Sequence, residues 1–299
     1  MPRAKHTSLG GQVVEASLVS IGYDIADDAV SLVETASPRR RHRTILLQSA
    51  WNVLPWAEFR ALQRNYPPRM RQRAFARRAV ARHNLRRAQR VVCLTESVGR
   101  LLRDTTGIRA SVAPVTVPIQ DWREPILTGP RATISRIALV PGTVTWYKRP
   151  TLALDALVDC GLLPSIDQVL FCGRDDGSGC WQAVQAQARE LDLLVERQVL
   201  ERQHLYDLYR TADVTLIPSG LESLGFSLSE ALLNAPRVLA SGIGPHVEIA
   251  GRVGIEPEWI TAESSSSSSV AGQTITREQA TKEWEGVGVA LGLTRCFES

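Results

Sequence analysis

The feature that most constrains the fold of this chain is a regular alternation of short apolar runs and helical stretches between residues 137 and 240. Apolar runs bounded by polar or turn residues predict buried strands. Strands that alternate with helices over short loops form a parallel, doubly wound sheet, which binds ligands beyond the carboxyl ends of its strands. The predicted strands are residues 137–140, 168–172, 197–200, 213–217 and 237–240, and the predicted helices are residues 151–160, 181–192, 203–211 and 228–234.

The N-terminal part of the chain shows a weaker form of the same pattern. Residues 44–48 and 90–94 predict buried strands, and Pro67 and Pro68 open a helical stretch that continues to about residue 89. Thr95 is expected to cap a further helix that ends near residue 103. Before residue 44 the sequence predicts only a helix at 13–21 and a strand at 29–33, so the N-terminal sheet is expected to be incomplete.

A chain of 299 residues exceeds what one hydrophobic core usually supports, which favours two domains. Residues 121–131, with Pro, Gly and mixed charge, are the best candidate linker, and six consecutive serines at 264–269 predict a flexible segment. We therefore expect an incomplete N-terminal domain at 1–128, a second domain at 129–263, and a serine-rich linker with a C-terminal helix at 264–299.

The five cysteines are scattered and form no C-x-x-C pair, which indicates reduced thiols rather than a disulfide framework or a zinc site. No apolar run approaches the length of a membrane-spanning helix, and the first twelve residues lack the apolar core of a secretory signal. These features predict a cytoplasmic protein.

Residues 221–236 (LESLGFSLSEALLNAP) place Glu222 and Glu230, with seven residues between them, around the turn that opens a predicted helix. Unpaired N–H groups at a helix N-terminus favour an anion, typically a phosphate. Glu230, expected in the first helical turn, is better suited to accept hydrogen bonds from paired hydroxyls such as a ribose diol. A ligand whose phosphate binds the backbone amides and whose hydroxyls bind the carboxylates is a nucleotide sugar. A glutamate that only stabilises the helix dipole is the alternative, and the spacing alone leaves both interpretations open.

Residues 218–235 (PSGLESLGFSLSEALLNA) resemble the E-x7-E signature of retaining glycosyltransferases of family 4, which have the GT-B fold. The resemblance extends over roughly residues 44–251. It implies two Rossmann-like, doubly wound parallel-sheet domains, of which the N-terminal one is truncated here. The further segments that carry it are residues 90–103 (RVVCLTESVGRLLR), 142–150 (GTVTWYKRP), 210–219 (RTADVTLIPS) and 237–248 (RVLASGIGPHVE).

The resemblance implies a reaction that moves a sugar from a nucleotide-sugar donor to an acceptor hydroxyl with retention at the anomeric carbon. Glu222 and Lys148 are then the catalytic residues, with Lys148 neutralising the diphosphate as it leaves, and Glu230 binds the ribose. Trp51 and Asn52 are the candidates on the acceptor side. The remaining candidates for donor binding are Gly142, Thr143, Arg174, Leu224, Gly225 and Phe226.

The resemblance also implies that no metal and no cofactor are needed, and no Asp-x-Asp pair occurs in the sequence. One departure concerns Thr143, which stands five residues before Lys148 where the family usually has an arginine. His204 and His246 are interpreted as capping or packing residues. Because of Thr143 and the truncated N-terminal domain, the alternative function is that of a degraded relative that binds nucleotide or assists a partner transferase.

The segment from Arg64 to Arg90 is rich in arginine and has no acidic residue. Nucleic-acid binding is not favoured, because Tyr66 and Phe75 are the only Phe, Tyr or Trp residues among the arginines of this segment. A basic helix can also approach an anionic membrane that carries a lipid-linked acceptor. A solvated basic face is the simpler interpretation, and a glycan or small-molecule acceptor is equally compatible with the sequence.

Overall fold

The computed structural model describes residues 9–20, 23, 30–32, 34–35, 43–117, 136–260 and 275–293. Both predicted domain boundaries, after residues 128 and 263, lie outside the described residues, as do the candidate linker and the six serines. No helix within these ranges is both long and apolar enough to cross a membrane.

The described part of the N-terminal half contains four short strands and four helices. The strands form one parallel sheet in the order β1-β2-β3-β4. A 3-10 helix at Ala50–Val53 follows β2. The elements are α1 (Leu9–Ser20), β1 (Val30–Ser31), β2 (Thr44–Leu46), α2 (Trp56–Leu62), α3 (Pro68–Arg87), β3 (Arg90–Cys93), α4 (Glu96–Thr106) and β4 (Ser111–Val112).

The C-terminal half contains a larger parallel sheet and a final helix. Its strand order is β10-β9-β8-β5-β6-β7. The elements are β5 (Ile137–Pro141), α5 (Pro150–Asp159), β6 (Gln168–Cys172), α6 (Cys180–Glu190), β7 (Leu194–Gln198), α7 (Arg202–Thr211), β8 (Val214–Ile217), α8 (Phe226–Asn234), β9 (Val238–Ser241), α9 (Gly244–Val253), β10 (Glu258–Ile260) and α10 (Arg277–Leu291).

The order of the larger sheet positions the candidate site. From β5 the chain builds β6 and β7 on one side, then crosses to β8 on the other side and continues to β9 and β10. The crevice beyond the carboxyl ends of β5 and β8 is therefore the topological switch point, where open α/β sheets bind ligands. The predicted α/β class with two parallel sheets is confirmed.

The predicted secondary structure differs from the structure in several details. The strand predicted at 197–200 is β7, which ends at Gln198, because its ladder with β6 pairs Gln168 with Leu194 and Cys172 with Gln198. This edge strand is mostly exposed, so its apolar pattern could not define its bounds. The prediction also missed α2, β4, α9 and β10, which are short or only partly buried.

The C-terminal helix α10 packs against the N-terminal half. Trp284 is fully buried, and its indole N–H donates to the carbonyl oxygen of Val117 at 2.8 Å. The carboxylate of Glu283 accepts hydrogen bonds from the backbone N–H and the hydroxyl of Thr116, at 2.7 and 2.8 Å. Buried residues of both halves consequently belong to one continuous apolar core.

One arginine of the basic segment is structural. Arg78 is 3% exposed, and its guanidinium donates to the carbonyl oxygens of Trp51, Asn52 and Leu54. Burial, together with the nearby charge of Arg82, lowers the pKa of Arg78 to about 10. The exposed arginines of the segment are Arg64, Arg69, Arg73, Arg77, Arg86, Arg87 and Arg90.

Candidate active site

Two loops approach each other closely at the carboxyl edge of the larger sheet. Gly142 follows β5 with φ +99°, and Gly173 follows β6. A Cβ at Gly173 would collide with the carbonyl oxygen of Gly142, and a Cβ at Gly142 would lie 2.9 Å from the amine of Lys148. The N–H of Val144 donates to the carbonyl oxygen of Arg174 at 2.8 Å. The glycines thus let the loop after β5 lie against the loop after β6, with the Lys148 side chain over Gly142.

The two predicted catalytic side chains are in contact. Lys148 ends a 3-10 helix (Trp146–Lys148), and its amine lies 3.1 Å from Oε1 of Glu222, in the loop between β8 and α8. The same oxygen accepts a hydrogen bond of 2.7 Å from the hydroxyl of Ser219. Only 17% of the Lys148 side chain and 15% of the Glu222 side chain is exposed, so the ion pair is largely shielded from water.

Both members of this pair are charged at neutral pH. Burial opposes ionisation of Glu222, but the charges of Lys148 and His246 and the Ser219 hydrogen bond hold its pKa below the ordinary value of 4.5. Burial also disfavours the ammonium form of Lys148, yet the carboxylate of Glu222 raises the pKa of the amine above 10.5. A fixed, poorly solvated cation stabilises negative charge that develops nearby during a reaction.

Gly225 sets the start of the neighbouring helix α8. It has φ +65° and is the N-cap residue, so the helix begins at Phe226, two residues earlier than predicted. Glu230 therefore lies in the second turn, and its predicted position in the first turn is wrong. The left-handed conformation of the glycine is the cause, because it turns the chain into the helix at once. The first N–H groups of α8 have no acceptors within the helix, which leaves them available to an anion.

Glu230 is buried and forms an ion pair that the sequence did not predict. Its carboxylate pairs with the guanidinium of Arg202, the first residue of α7, and its carbonyl oxygen accepts from the Asn234 carboxamide at 2.8 Å. The only sequence signal for Arg202 is a basic residue in the first turn of a helix, where acids are favoured. The pair orients Glu230 at the carboxyl edge of the sheet.

His246, in α9, is fully buried in agreement with the packing role suggested by the sequence. Its Nδ1 lies 2.8 Å from the carbonyl oxygen of Ser241, which requires Nδ1 to carry the proton. Burial is the main cause of its lowered pKa. No sequence feature indicated that this ring would also influence the pKa of Glu222.

The N-terminal half holds the loop that carries Glu222. The next residue, Ser223, accepts a hydrogen bond of 2.6 Å from the N–H of Ala50 through its hydroxyl oxygen. The carbonyl oxygen of Ser223 accepts from the hydroxyl of Thr95, the residue that caps α4, at 3.2 Å. Both halves of the chain therefore fix the position of the candidate carboxylate.

The two acceptor-side candidates lie in different surroundings. The ring of Trp51 lies edge-on to Tyr147, with centroids 5.6 Å apart, and so adjoins the 3-10 helix that carries Lys148. The side chain of Asn52 is buried and donates to the carboxylate of Glu34 at 2.7 Å. Burial raises the pKa of Glu34. Trp51 thus lies beside the Lys148 loop, whereas Asn52 orders the interior of the N-terminal half.

The other donor-side candidates lie in the loops after β5, β6 and β8 and at the start of α8. Thr143 and Arg174 are exposed in the loops after β5 and β6, and Leu224 is buried beside Gly225. Phe226 packs towards α10, where its ring centroid is 6.2 Å from that of Trp284. Within the described ranges, no three His, Cys, Asp or Glu side chains are grouped so that they could hold a metal ion.

Two parallel-sheet α/β domains, with a site at the switch point of the second sheet, define a GT-B fold. Solved structures that share it include sucrose-phosphate synthase from Thermosynechococcus elongatus, with 17% identity and a TM-score of 0.53 over 83% of this chain and 59% of that chain. HepE from Anabaena, in complex with UDP and glucose, matches at 15% identity and a TM-score of 0.52 over 86% of this chain and 71% of that chain.

An α,α-trehalose-phosphate synthase (UDP-forming) from Burkholderia xenovorans, in complex with glucose-6-phosphate, matches at 12% identity and a TM-score of 0.50. That match covers 85% of this chain and 62% of that chain, so the present chain spans about 60% of the length of the synthases it resembles. No family profile matches the sequence, and no curated protein matches it. At these identities the likeness establishes the fold, and the predicted truncated GT-B architecture is confirmed.

Proposed function

We propose that this chain transfers a sugar from a nucleotide-sugar donor to an acceptor hydroxyl, with retention of the anomeric configuration and without a metal ion. The observation that carries the proposal is the contact between Lys148 and Glu222 beside the N-terminus of α8. It combines a shielded cation, a shielded carboxylate and a helix N-terminus at one switch point, which are the elements that a glycosyl diphosphate requires.

The chemistry follows from the charges. As the bond between the anomeric carbon and the diphosphate breaks, negative charge grows on the leaving oxygen and positive charge grows on the sugar. Lys148 stabilises the first charge and Glu222 the second, while the first amides of α8 bind phosphate oxygens. A hydroxyl of the acceptor then forms the new bond to the anomeric carbon, and its proton passes to the oxygen of the departing diphosphate. The nucleotide sugar is a substrate, so no cofactor is invoked.

The remaining assignments rest on the same site. Glu230, oriented by Arg202, accepts hydrogen bonds from the ribose hydroxyls, and Trp51 lines the acceptor side next to Tyr147. HepE, which shares the fold, was solved with UDP and glucose, which supports a nucleoside diphosphate sugar as the donor. Retention rests on the resemblance of residues 218–235 to the E-x7-E signature.

A second candidate function is that of a relative that binds nucleotide without turnover. It is favoured by Thr143, which supplies no charge at the position where the family usually has an arginine, and by the short N-terminal sheet. The two candidates differ in one outcome, since only the enzyme releases a nucleoside diphosphate.

The test is a panel of UDP-, GDP-, ADP- and dTDP-sugars incubated with purified protein in EDTA, with nucleoside diphosphate release measured by chromatography. The melting temperature with each nucleoside diphosphate is measured in parallel, because a ligand at a hundredfold excess over Kd stabilises the fold by about 2.7 kcal/mol. Release by the wild type and not by Lys148→Ala supports the enzyme. Stabilisation without release supports the second candidate. If the protein shows neither release nor stabilisation, both candidate functions are refuted.

We further propose a cytoplasmic protein whose N-terminal half can dock on an anionic membrane. The four described cysteines are free thiols, as expected in a reducing compartment. Trp56 is 55% exposed and packs against Phe75 of the arginine-rich helix α3, at 5.5 Å between ring centroids. An exposed indole beside exposed arginines is suited to the interface of an anionic bilayer.

A further inference from the structure

In the proposed function Lys148 is the cation assigned to the leaving diphosphate, and Arg174, exposed in the loop after β6, is a further candidate. The position five residues before Lys148, Thr143, is uncharged and exposed. We propose that Arg149 supplies the second cation, a role that rests on the proposed function of the same site. Three features of Arg149 support this assignment: its backbone conformation, the position of its guanidinium, and its lack of a carboxylate partner.

The backbone of Arg149 is in a conformation that arginine rarely adopts. Its φ and ψ are 48° and 51°, in the left-handed region, between the 3-10 helix that ends at Lys148 and the helix α5. In the described ranges only Arg136 and Asp192 share a positive φ among non-glycine residues. Glycine would occupy this position without strain, and strained residues of this kind concentrate at functional sites.

The guanidinium of Arg149 lies directly on the backbone of Gly220, in the loop that leads to Glu222. A Cβ at Gly220 would be 2.7 Å from Cζ and 2.9 Å from Nη2 of Arg149, so a side chain at this position would displace the guanidinium. The N–H of Gly220 also donates to the carbonyl oxygen of Tyr147 at 2.8 Å. The loop between β8 and α8 is therefore bordered by two consecutive cations, Lys148 at Glu222 and Arg149 at Gly220.

The charge of Arg149 is not neutralised by a carboxylate of the described residues, unlike the charges of Lys148 and Arg202. Lys148 is paired with Glu222, and Arg202 is paired with Glu230. Across the part of the chain that the structure describes, no carboxylate forms an ion pair with Arg149, which is exposed at the crevice. Arg136, which has the same φ at the opposite end of β5, is paired with Asp167 at 3.0 Å. An unneutralised guanidinium on the loop that leads to Glu222 is suited to bind a diphosphate.

The test uses the fact that glycine suits the backbone at this position. Arg149→Gly relieves the left-handed strain, so the melting temperature should stay the same or rise. We expect the affinity for the nucleoside diphosphate, measured by calorimetry, to fall at least tenfold, and kcat/KM for the nucleotide sugar to fall at least as far. Asp192→Gly is the matched control, because Asp192 has φ +50° in an exposed turn between α6 and β7. This variant should keep wild-type affinity and activity.

A second variant tests the charge itself. Thr143→Arg in the Arg149→Gly background returns a guanidinium to the loop after β5 and should recover most of the lost affinity. Wild-type affinity and kcat/KM in Arg149→Gly would overturn the role of Arg149 and leave the proposed function intact. Tight diphosphate binding that weakens in Arg149→Gly, without turnover in the wild type, would support Arg149 and refute the transferase. A wild type that binds no nucleoside diphosphate would refute both.

Discussion

The amine of Lys148 lies 3.1 Å from Oε1 of Glu222, and these side chains come from loops after two neighbouring parallel strands, β5 and β8. The strands pair Ala138 with Val214 and Leu139 with Thr215, so their carboxyl ends meet at one edge. The pair is therefore a product of the sheet order, and its geometry provides the most direct predictions about the proposed reaction.

The first prediction concerns turnover. Glu222→Gln and Lys148→Ala should each lower kcat by about a hundredfold or more, because both groups meet charge that develops only as the diphosphate leaves. The donor KM should change less. Steady-state kinetics with one donor tests this, with circular dichroism to verify folding and Glu190→Gln, on the exposed end of α6, as a control. A wild-type kcat in both variants would mean that the chemistry does not involve this pair.

The second prediction concerns pH. The folded-state pKa of Glu222 is depressed, so its contribution to stability is complete above the ordinary value of 4.5 and is lost as the pH falls below it. The raised pKa of Lys148 contributes stability that is complete below 10.5 and is lost at higher pH. The double variant Glu222→Gln, Lys148→Met should lack both dependences. Urea unfolding between pH 3.5 and 7 should show a smaller loss of stability in the double variant than in the wild type, and parallel curves would contradict the prediction.

The third prediction concerns the ribose. Glu230→Gln should chiefly raise the donor KM, because a charged hydrogen bond made equally in the ground and transition states contributes about 1.5–3 kcal/mol, or roughly 10- to 150-fold. Arg202→Gln should raise KM in the same direction, since it removes the group that orients Glu230. The measurement is KM and kcat for each variant. A large fall in kcat with unchanged KM would assign Glu230 to the chemical step instead.

The fourth prediction concerns the glycine that brings the loops together. Gly173→Ala should reduce the free energy of unfolding by about 1–3 kcal/mol, because its Cβ meets the carbonyl oxygen of Gly142. Gly251→Ala is the control, since Gly251 lies in α9 with open space around it and should gain up to about 1 kcal/mol. Urea unfolding of both variants measures the difference. Equal effects would mean that the close approach of the loops is unimportant.

The fifth prediction concerns membrane docking. Binding to liposomes should require anionic lipid and weaken with salt, because exposed charges are screened over about 10 Å at 0.1 M. Trp56→Ala and the pair Arg73→Gln, Arg77→Gln should each reduce the bound fraction in a sedimentation assay. The matched control is the double variant Arg100→Gln, Arg103→Gln, on the exposed face of α4, which should bind as the wild type does. Binding that is absent or insensitive to salt would mean that α3 is a solvated basic face without a docking role.

The sequence was sufficient for the elements whose pattern is local. Buried strands such as β6, predicted at 168–172, coincide with the structure, because a continuous apolar run bounded by polar residues leaves few alternatives. The spacing of Glu222 and Glu230 and the glycine between them predicted a turn into a helix, since these features depend only on neighbours along the chain.

Only the tertiary structure decided which distant residues became neighbours. The order of the strands brought Lys148 to Glu222, and the contact of α7 with α8 brought Arg202 to Glu230. The burial of His246, and the contact of Arg149 with Gly220, also depend on packing between segments far apart in sequence. Composition and spacing contain no information about such pairs, because their energies arise only after the chain has closed the loops between them.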